Sequence, residues 1–292
     1  MGRRPPSPGP GRDTPRGTRG REAAGPARES RPPGARAPAA ADAAATPARH
    51  AELRLYGMNA VLAAFARRPE ALRKLYLASD RIGQLQPLLK WCVAHRIGYR
   101  VVEDVEELRR LSASTHHEGV VADVQREAPD TLADWLAALS DGPCCALWLD
   151  GVGNPHNLGA ILRSSAHFGV SGLLLPADAS LSLSGAAARV AEGGAERVPL
   201  VRLGPVDDAI GQLHAAGFAL AATVVRGGGN LFETALPQRV VYVMGAEGAG
   251  MGDALAEACD LRLSIPGTGA VESLNVAAAT AVLLAQWANA HR

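Results

Sequence analysis

The order of apolar and polar positions predicts a small α/β module near the amino end of the chain. Between residues 53 and 125 the apolar spacing changes from helical to strand-like several times. It predicts helices over residues 57–67 and 82–95, and strands at KLYLA (74–78), GYRVV (98–102) and GVVADV (119–124). Residues 126–143 mix charge and proline with one amphipathic helix, for which Thr131 is the expected N-cap, and are interpreted as a linker helix.

A larger α/β domain is predicted over residues 144–292. Short Val- and Leu-rich runs without polar alternation are separated by helical patterns, which favours a parallel sheet covered on both faces. Ligand loops are then expected at the carboxyl ends of the strands. The expected strands are 145–150, 172–175, 198–203, 218–225, 240–245 and 261–265, and the expected helices are 157–168, 186–190, 206–216, 253–258 and 274–288.

Composition separates the first fifty residues from the rest. Residues 1–50 hold ten Arg, no Lys, ten Pro and four acidic residues, a net charge of +6, with almost no large aliphatic side chain. We expect a disordered tail, because such a segment cannot bury enough surface to offset the entropy of ordering. The remainder carries 20 basic and 25 acidic residues. The basic tail favours salt-sensitive attachment to RNA, with an Arg-rich bias in a solvated tail as the alternative.

Targeting, membrane and metal signals are not evident. The start MGRRPPSPGPGR lacks the apolar stretch of a secretory signal, and no apolar run reaches the roughly 18 residues that span a bilayer, so we expect a cytoplasmic protein without a membrane partner. The four cysteines form no CxxC pair and have no His in ligand spacing, which predicts buried thiols and no metal. An aromatic content of 4% disfavours base-stacking platforms of the RRM or OB type.

Three loops that follow predicted strands hold polar residues beside glycines. The first has Asn157, a candidate N-cap, and Arg163, which fits either a solvated helix position or a phosphate ligand. The second has Glu247 among glycines, where it fits a helix cap or a site residue. The third has Ser273, also a candidate N-cap, with Glu272 and Asn275 beside it. Gly151 and Gly153 begin a dinucleotide fingerprint that fails at His156, which disfavours a nicotinamide-dependent dehydrogenase.

Together these loops resemble the three signature motifs of the SpoU/TrmH class of SPOUT RNA methyltransferases. The stretches are NPHNLGAILRSSAHFG (154–169), VMGAEGAGM (243–251) and SIPGTGAVESLNVAAAT (264–280), in the family's order. AARVAEGGAERVPLVR (187–202) is similar to an intervening family segment, and residues 53–125, through LYGMNAVLAAF and HHEGVVADV, resemble the family's substrate-binding module. The sequences AEGGAE and IPGTGA are most similar to the corresponding stretches of the YfiF-like tRNA/rRNA methyltransferases.

The resemblance implies a catalytic domain with a deep trefoil knot, an exception to the usual topology rules. It also implies a homodimer through the knot region, the cofactor S-adenosyl-L-methionine, and transfer of a methyl group to a ribose 2′-hydroxyl of tRNA or rRNA. No DNA partner is expected. The alternative is a SPOUT-fold protein that binds RNA without methylating it.

Site residues follow from matching positions in the motifs. The resemblance implies a catalytic set of Asn157, Arg163, Glu247, Ser273 and Asn275, and cofactor contacts through Gly245, Ile265 and Leu274. Because a guanidinium stays protonated, we expect Arg163 to clamp phosphate and stabilise a developing alkoxide rather than to remove a proton. Two positions depart from the family pattern: Gly267 stands where Met is common, and the pair Glu192-Gly193 replaces small residues.

Overall fold

A computed structural model describes residues 52–245 and 251–291. The predicted disordered tail, residues 1–50, and the predicted site residue Glu247 lie outside these ranges. Within the described ranges, no helix is long and apolar enough to cross a membrane.

Residues 52–125 form a four-stranded mixed sheet with three helices. The sheet order is β1-β4-β2-β3, with β4 antiparallel to β1 and β2, and β2 parallel to β3. The strand β1 and the helix α3 were not predicted, because ELRLY is short and VEELRRLS buries only one large apolar side chain. The elements are β1 (Glu52–Tyr56), α1 (Met58–Arg67), β2 (Leu72–Ala78), α2 (Gln86–Ala94), β3 (Gly98–Val102), α3 (Val105–Ser112) and β4 (Val120–Gln125).

The remaining strands form an eight-stranded sheet in which every pairing is parallel, as the apolar runs predict. Its order is β10-β12-β9-β11-β6-β7-β8-β5. The elements are β5 (Asp130–Thr131), α4 (Leu132–Ala138), β6 (Cys144–Leu149), α5 (Pro155–Phe168), β7 (Gly172–Leu175), α6 (Gly185–Ala191), β8 (Leu200–Arg202), α7 (Val206–Ala215), β9 (Ala219–Thr223), β10 (Gly229–Asn230), β11 (Arg239–Met244), α8 (Asp253–Glu257), β12 (Leu261–Ser264) and α9 (Val276–Ala290).

The segment interpreted as a linker helix packs onto the large sheet. Its strand β5 pairs with β8, and Leu132 and Trp135 of α4 are buried in the core. Thr131 caps α4 as expected, since its hydroxyl accepts a hydrogen bond of 3.2 Å from the backbone N–H of Asp134. Residues 126–143 therefore contribute packing to the large sheet as well as a connection.

Side chains of the central strands alternate between two apolar cores. In β6, Leu147 and Leu149 lie in one core while Ala146 and Trp148 lie in the other. This alternation follows from the two-residue period of a strand and requires helices on both faces. The helices α5, α6 and α9 pack together, and α5 contacts both of the others. The sheet thereby fixes the position of α5, the helix that contains Asn157 and Arg163.

Candidate active site

Three polar loops begin at one edge of the large sheet. The strands β6 and β11 are paired neighbours with Leu149 opposite Met244, and β12 is separated from β11 by β9. Because these strands are parallel, their carboxyl ends share an edge, where α/β proteins commonly bind ligands. The loops are the first-motif loop (150–154), the second-motif loop (245–252) and the third-motif loop (265–275).

The amino end of α5 differs from the sequence prediction. The N-cap is Asn154, whose side-chain oxygen accepts a hydrogen bond of 2.9 Å from His156 N–H, and Pro155 is the first helical residue. Asn157 is therefore not the cap and lies inside the first turn. A proline at the first helical position is favoured because it has no N–H to leave unpaired, so Asn154 before it is the better cap. The side chain of Asn157 is left for another role.

Asn157 contacts the amino end of α9. The amide nitrogen of Asn275 donates to the side-chain oxygen of Asn157 over 3.1 Å, which joins residues 118 positions apart. Asn275 is also the N-cap of α9, because its side-chain oxygen accepts from Ala277 N–H at 2.9 Å. The prediction that Ser273 caps this helix is wrong, since α9 begins at Val276 and Ser273 stays in the exposed third-motif loop. The first and third motifs thus meet through two asparagines.

Asp150 of the first-motif loop is hydrogen-bonded to the residues on both sides of the stretch 245–251. Asp150 N–H donates to the carbonyl of Met244 at 2.8 Å, and the Asp150 carboxylate accepts from Gly252 N–H at 3.1 Å. Gly245 directly follows β11. These two bonds join Asp150, four residues before the N-cap of α5, to Met244 and Gly252.

Arg163 lies on another side of α5 from Asn157. Six residues separate the two, which corresponds to about 240° around a helix. Arg163 is exposed, and Gly194 approaches its backbone so closely that a Cβ at Gly194 would lie 3.1 Å from the Arg163 Cα. The pKa of the Glu192 carboxyl is lowered, first by a hydrogen bond from Asn59, and the charge of Arg163 is the smallest of the contributions to this shift. The structure therefore brings Asn157 and Asn275 together, and places Arg163 beside residues 192–194.

The third-motif loop offers features that suit an adenosine group. Ile265 packs against the main core, whereas Leu274 is 48% and Val271 is 71% exposed. At Gly267 and Gly269 an added Cβ would meet nothing within 4 Å, so open space lies beside the backbone. A flat apolar base with polar edges fits such a mixture of apolar side chains and accessible backbone groups. The residues present thus fit S-adenosyl-L-methionine, with Gly245, Ile265 and Leu274 at the strand ends and the loop.

The cysteines do not supply a nucleophile. Cys144 and Cys145 lie in β6, where burial raises the pKa of both thiols, and burial raises the pKa of Cys259 to about 11. Cys92 is buried in the small module, and its pKa is also raised by burial. Protonated thiols are weak nucleophiles.

Comparison with known proteins places this arrangement in a family. A sequence profile described as the SpoU rRNA Methylase family matches residues 145–285, and one described as RNA 2'-O ribose methyltransferase substrate binding matches residues 54–129. Over 236 residues the chain is 39% identical to the uncharacterized tRNA/rRNA methyltransferase YfiF of Escherichia coli O157:H7, covering 81% of this chain and 68% of that protein. The chain belongs to the SpoU rRNA methylase family.

Other relatives of this SpoU family member have more specific names. It is 36% identical to the 23S rRNA (guanosine-2'-O-)-methyltransferase RlmB of Bordetella pertussis, over 79% of this chain and 94% of RlmB. Its fold matches the AdoMet-bound rRNA methyltransferase from Sinorhizobium meliloti with a TM-score of 0.69 at 24% identity, over 82% of this chain and 88% of that one. It also matches the SpoU methyltransferase AviRb from Streptomyces viridochromogenes in complex with AdoMet, with a TM-score of 0.68 at 25% identity, over 82% and 91% of the chains. The resemblance to this family and the parallel-sheet α/β fold predicted from the apolar runs are both confirmed.

Proposed function

We propose that this SpoU family member is an enzyme that transfers a methyl group from S-adenosyl-L-methionine to a ribose 2′-hydroxyl of tRNA or rRNA. The observation that carries this proposal is the hydrogen bond between Asn157 and Asn275, which joins the first and third motifs at the ligand-binding edge of the sheet. The names of YfiF and RlmB support an RNA substrate, and that of RlmB a ribose 2′-oxygen as the acceptor.

The chemistry requires a positioned hydroxyl and a stabilised negative charge. The cofactor supplies an electrophilic methyl group on a sulfonium, and a neutral hydroxyl attacks it poorly unless its proton leaves. Exposed Arg163 is suited to hold the phosphate next to the target ribose and to stabilise charge developing on the 2′-oxygen. Arg163 would not take the hydroxyl proton, because a guanidinium cannot accept it, and that proton would leave to phosphate or water.

The other predicted residues have supporting roles in this proposal. Asn157 and Asn275 hold each other, and with Ser273 they orient the ribose. Glu247 holds the second-motif loop or Arg163 and is not the base. Gly245, Ile265 and Leu274 bind the cofactor, chiefly through backbone groups.

RNA docking is assigned to the module over residues 53–125, with residues 126–143 connecting it to the methyltransferase domain over residues 144–292. The profile matched to residues 54–129 supports this division. In this proposal the Arg-rich tail, residues 1–50, adds attraction to phosphate that does not depend on sequence. Bacterial rRNA would be reached in the cytoplasm.

The deep trefoil knot and the homodimer belong to the same proposal. In the sheet, β9 lies between β12 and β11. After β12 the chain continues into α9, which packs against α5, and this path is compatible with the chain threading through a loop to form a knot. Sedimentation equilibrium tests the dimer: we expect twice the chain mass at micromolar concentration, and a monomer would exclude a constitutive dimer.

Calorimetric titration with S-adenosyl-L-methionine separates the enzyme from a SPOUT-fold protein that only binds RNA. We expect saturable binding of one cofactor per chain and no binding of NAD as a control. Ribose-methylation maps of RNA from cells with and without the gene then identify the substrate. An identical map in both, together with a lack of cofactor binding, would exclude the enzyme and leave the RNA-binding alternative.

A further inference from the structure

The small module has an aromatic stack at the carboxyl end of α2. The ring of His95 lies on the indole of Trp91, with 3.6 Å between the ring centroids and 20° between the ring planes. Phe65 of α1 contacts the same indole at an angle of 72°, with 6.1 Å between the centroids. Phe65 and Trp91 pack against the apolar core of the module, whereas His95 is exposed. The Trp91–His95 stack is therefore anchored at the indole and exposed at the imidazole.

The imidazole of this stack is held in one orientation. The backbone N–H and the Nδ1 atom of His95 both donate to the carbonyl of Trp91, each over 3.0 Å. His95 is also the C-cap of α2, so the end of the helix fixes its backbone. A ring that is already fixed loses little conformational freedom when a flat ligand stacks on it.

The Trp91–His95 stack lines a cavity of about 320 Å³ in the module. Arg73 and Arg96 are part of the same lining with one carboxylate, that of Glu70, which leaves an excess of positive charge. Sites for small ligands occupy about 300 to 1,000 Å³, so this cavity is of a size for one nucleotide. Proteins bind unpaired nucleotides through such a combination, because a base stacks on an aromatic ring while arginine pairs with phosphate.

Two donors at this cavity lack an acceptor within the described part of the chain, residues 52–245 and 251–291. The indole N–H of Trp91 is buried without a hydrogen-bond partner, which is unfavourable and uncommon. The guanidinium of Arg96 forms no hydrogen bond or ion pair with these residues. Arg73, by contrast, donates to the carbonyl of Glu70 at 2.9 Å and to the side chain of Gln125. A ligand that brings acceptors would therefore satisfy groups that the described chain leaves unpaired.

A second tryptophan–histidine pair, at the end of α9, has the same spacing but different surroundings. The rings of Trp287 and His291 are stacked 4.9 Å apart, and His291 Nδ1 donates to the Trp287 carbonyl at 2.9 Å. Here the indole N–H donates to the Pro237 carbonyl at 3.4 Å, and Trp287 is only 8% exposed. The spacing and the helix end thus explain why the rings stack. They do not explain an unpaired indole N–H beside two arginines.

We propose that the Trp91–His95 stack is a binding site for one unpaired RNA base, which stacks on His95 while Arg96 and Arg73 pair with the adjoining phosphates. The inference rests on the proposed docking of RNA by the module, and it specifies RNA with an unpaired nucleotide as the substrate class. The residues involved lie outside the three motifs. A single stack of this kind takes one base and does not need the several aromatic residues of an RRM sheet.

The affinity for single-stranded RNA tests the proposal. The probe is a fluorescently labelled oligonucleotide of mixed sequence, titrated with the full chain without cofactor and followed by anisotropy. His95→Ala should weaken binding about tenfold, which lies within the range for loss of one stacked base. The matched control is His291→Ala, which removes the imidazole of the other pair and should stay within about twofold of the parent. Equal affinities of parent and His95→Ala, or equal losses in both variants, would overturn the proposal.

His95→Phe separates stacking from support of the helix end. Phenylalanine keeps a flat aromatic face but lacks Nδ1 and its hydrogen bond to the Trp91 carbonyl. We expect its affinity for the same oligonucleotide to lie within about threefold of the parent. If His95→Phe binds as weakly as His95→Ala, the hydrogen bond matters and base stacking does not.

The salt dependence of binding tests the phosphate contact. Arg96→Ala should lower the slope of log affinity against log salt concentration by about one, whereas His95→Ala should leave the slope unchanged because it removes no phosphate contact. Equal slopes for the parent and Arg96→Ala would exclude a phosphate at Arg96.

Photocrosslinking locates the base without any need for activity. An RNA with 5-iodouridine in place of uridine crosslinks on irradiation to aromatic side chains on which it stacks. We expect a crosslinked peptide from residues 86–97 in the parent, identified by mass spectrometry, and its loss in His95→Ala. This crosslink in a protein that methylates no RNA would establish the base site and exclude the proposed methyl transfer. Methylation of an RNA that gives no crosslink in this peptide would overturn the inference and leave methyl transfer standing.

Discussion

The helix α5 and the third-motif loop are both parts of the candidate site, but the fold holds them differently. α5 buries one face, is capped by Asn154, and ends at Gly169 in the left-handed conformation with φ 74°. By contrast, residues 266–275 of the loop are all exposed, including the apolar side chains of Val271 and Leu274. The candidate site therefore has two walls. One is α5, which the fold itself holds in place, and the other is the third-motif loop, whose exposed apolar side chains a ligand could cover.

This difference matches the tasks proposed for the two walls. Electrostatic stabilisation works best from groups that need no reorganisation, and these lie on α5. Cofactor binding can gain from burying exposed apolar side chains, and these lie in the loop. Changes on α5 should therefore alter the rate of methyl transfer, whereas events in the loop should follow cofactor binding.

The largest expected effect is that of Arg163→Ala. We expect kcat to fall by about tenfold to a thousandfold, the scale of one lost electrostatic stabiliser, with the affinity for S-adenosyl-L-methionine unchanged. The matched control is Arg262→Ala, which removes an exposed arginine from β12. Rates of methyl transfer measured with labelled cofactor test this prediction. Equal rates for the parent and Arg163→Ala would show that Arg163 does not contribute to catalysis.

Hydrogen exchange compares the two walls directly. Addition of S-adenosyl-L-methionine should slow amide exchange in residues 265–275 by about tenfold or more, because binding stabilises the conformation that it selects. Amides of α5 should change less, since their hydrogen bonds already exist. Mass spectrometry of peptic fragments measures amide exchange in both regions. Equal protection of α5 and of the loop would mean that the fold does not hold the two walls differently.

Asn154 and Asn157 form a matched pair within the first turn of α5. Asn154→Ala should lower the free energy of unfolding by about 1 kcal/mol through loss of the cap, with kcat within about twofold. Asn157→Ala should do the reverse, with a smaller cost to stability and a fall in kcat of about threefold to tenfold through loss of orientation. Urea unfolding and steady-state kinetics of both variants check this, and the opposite assignment would show that Asn157 is structural.

The smallest expected effect concerns the start of β12, which leads into the loop. Partial burial by itself would raise the pKa of Asp260, but hydrogen bonds from Leu220 N–H, at 2.8 Å, and from His214 outweigh it, so the pKa is lowered. A lowered carboxyl pKa contributes stability above the ordinary value near 4, and this contribution is lost as the pH falls through the folded value.

Asp260→Asn should therefore be less stable than the parent at pH 7, by under about 1 kcal/mol because the side chain is half exposed. The difference should shrink as the pH falls from 5 to 3. Urea unfolding across this range measures it, and a difference that does not depend on pH would assign the effect to packing.

Much of the large sheet could be predicted from its apolar runs, whereas the helix ends could not. Asn154 and Asn157 are both residue types that cap helices, and only the position of Pro155 favours Asn154 as the cap of α5. At α9, Ser273 and Asn275 are both good caps, and the loop extends to Asn275 because its side chain also reaches Asn157. The bond between Asn59 and Glu192 spans 133 residues, so no local pattern indicates it.

Nucleoside analysis of a purified reaction shows whether this chain methylates ribose. The protein, labelled S-adenosyl-L-methionine and RNA from cells that lack the gene are combined, and the RNA is digested to nucleosides. We expect label in a 2′-O-methylated nucleoside, and at least about tenfold less label with Arg163→Ala. Label confined to a methylated base, or no label although cofactor and RNA both bind, would contradict ribose methylation by this chain.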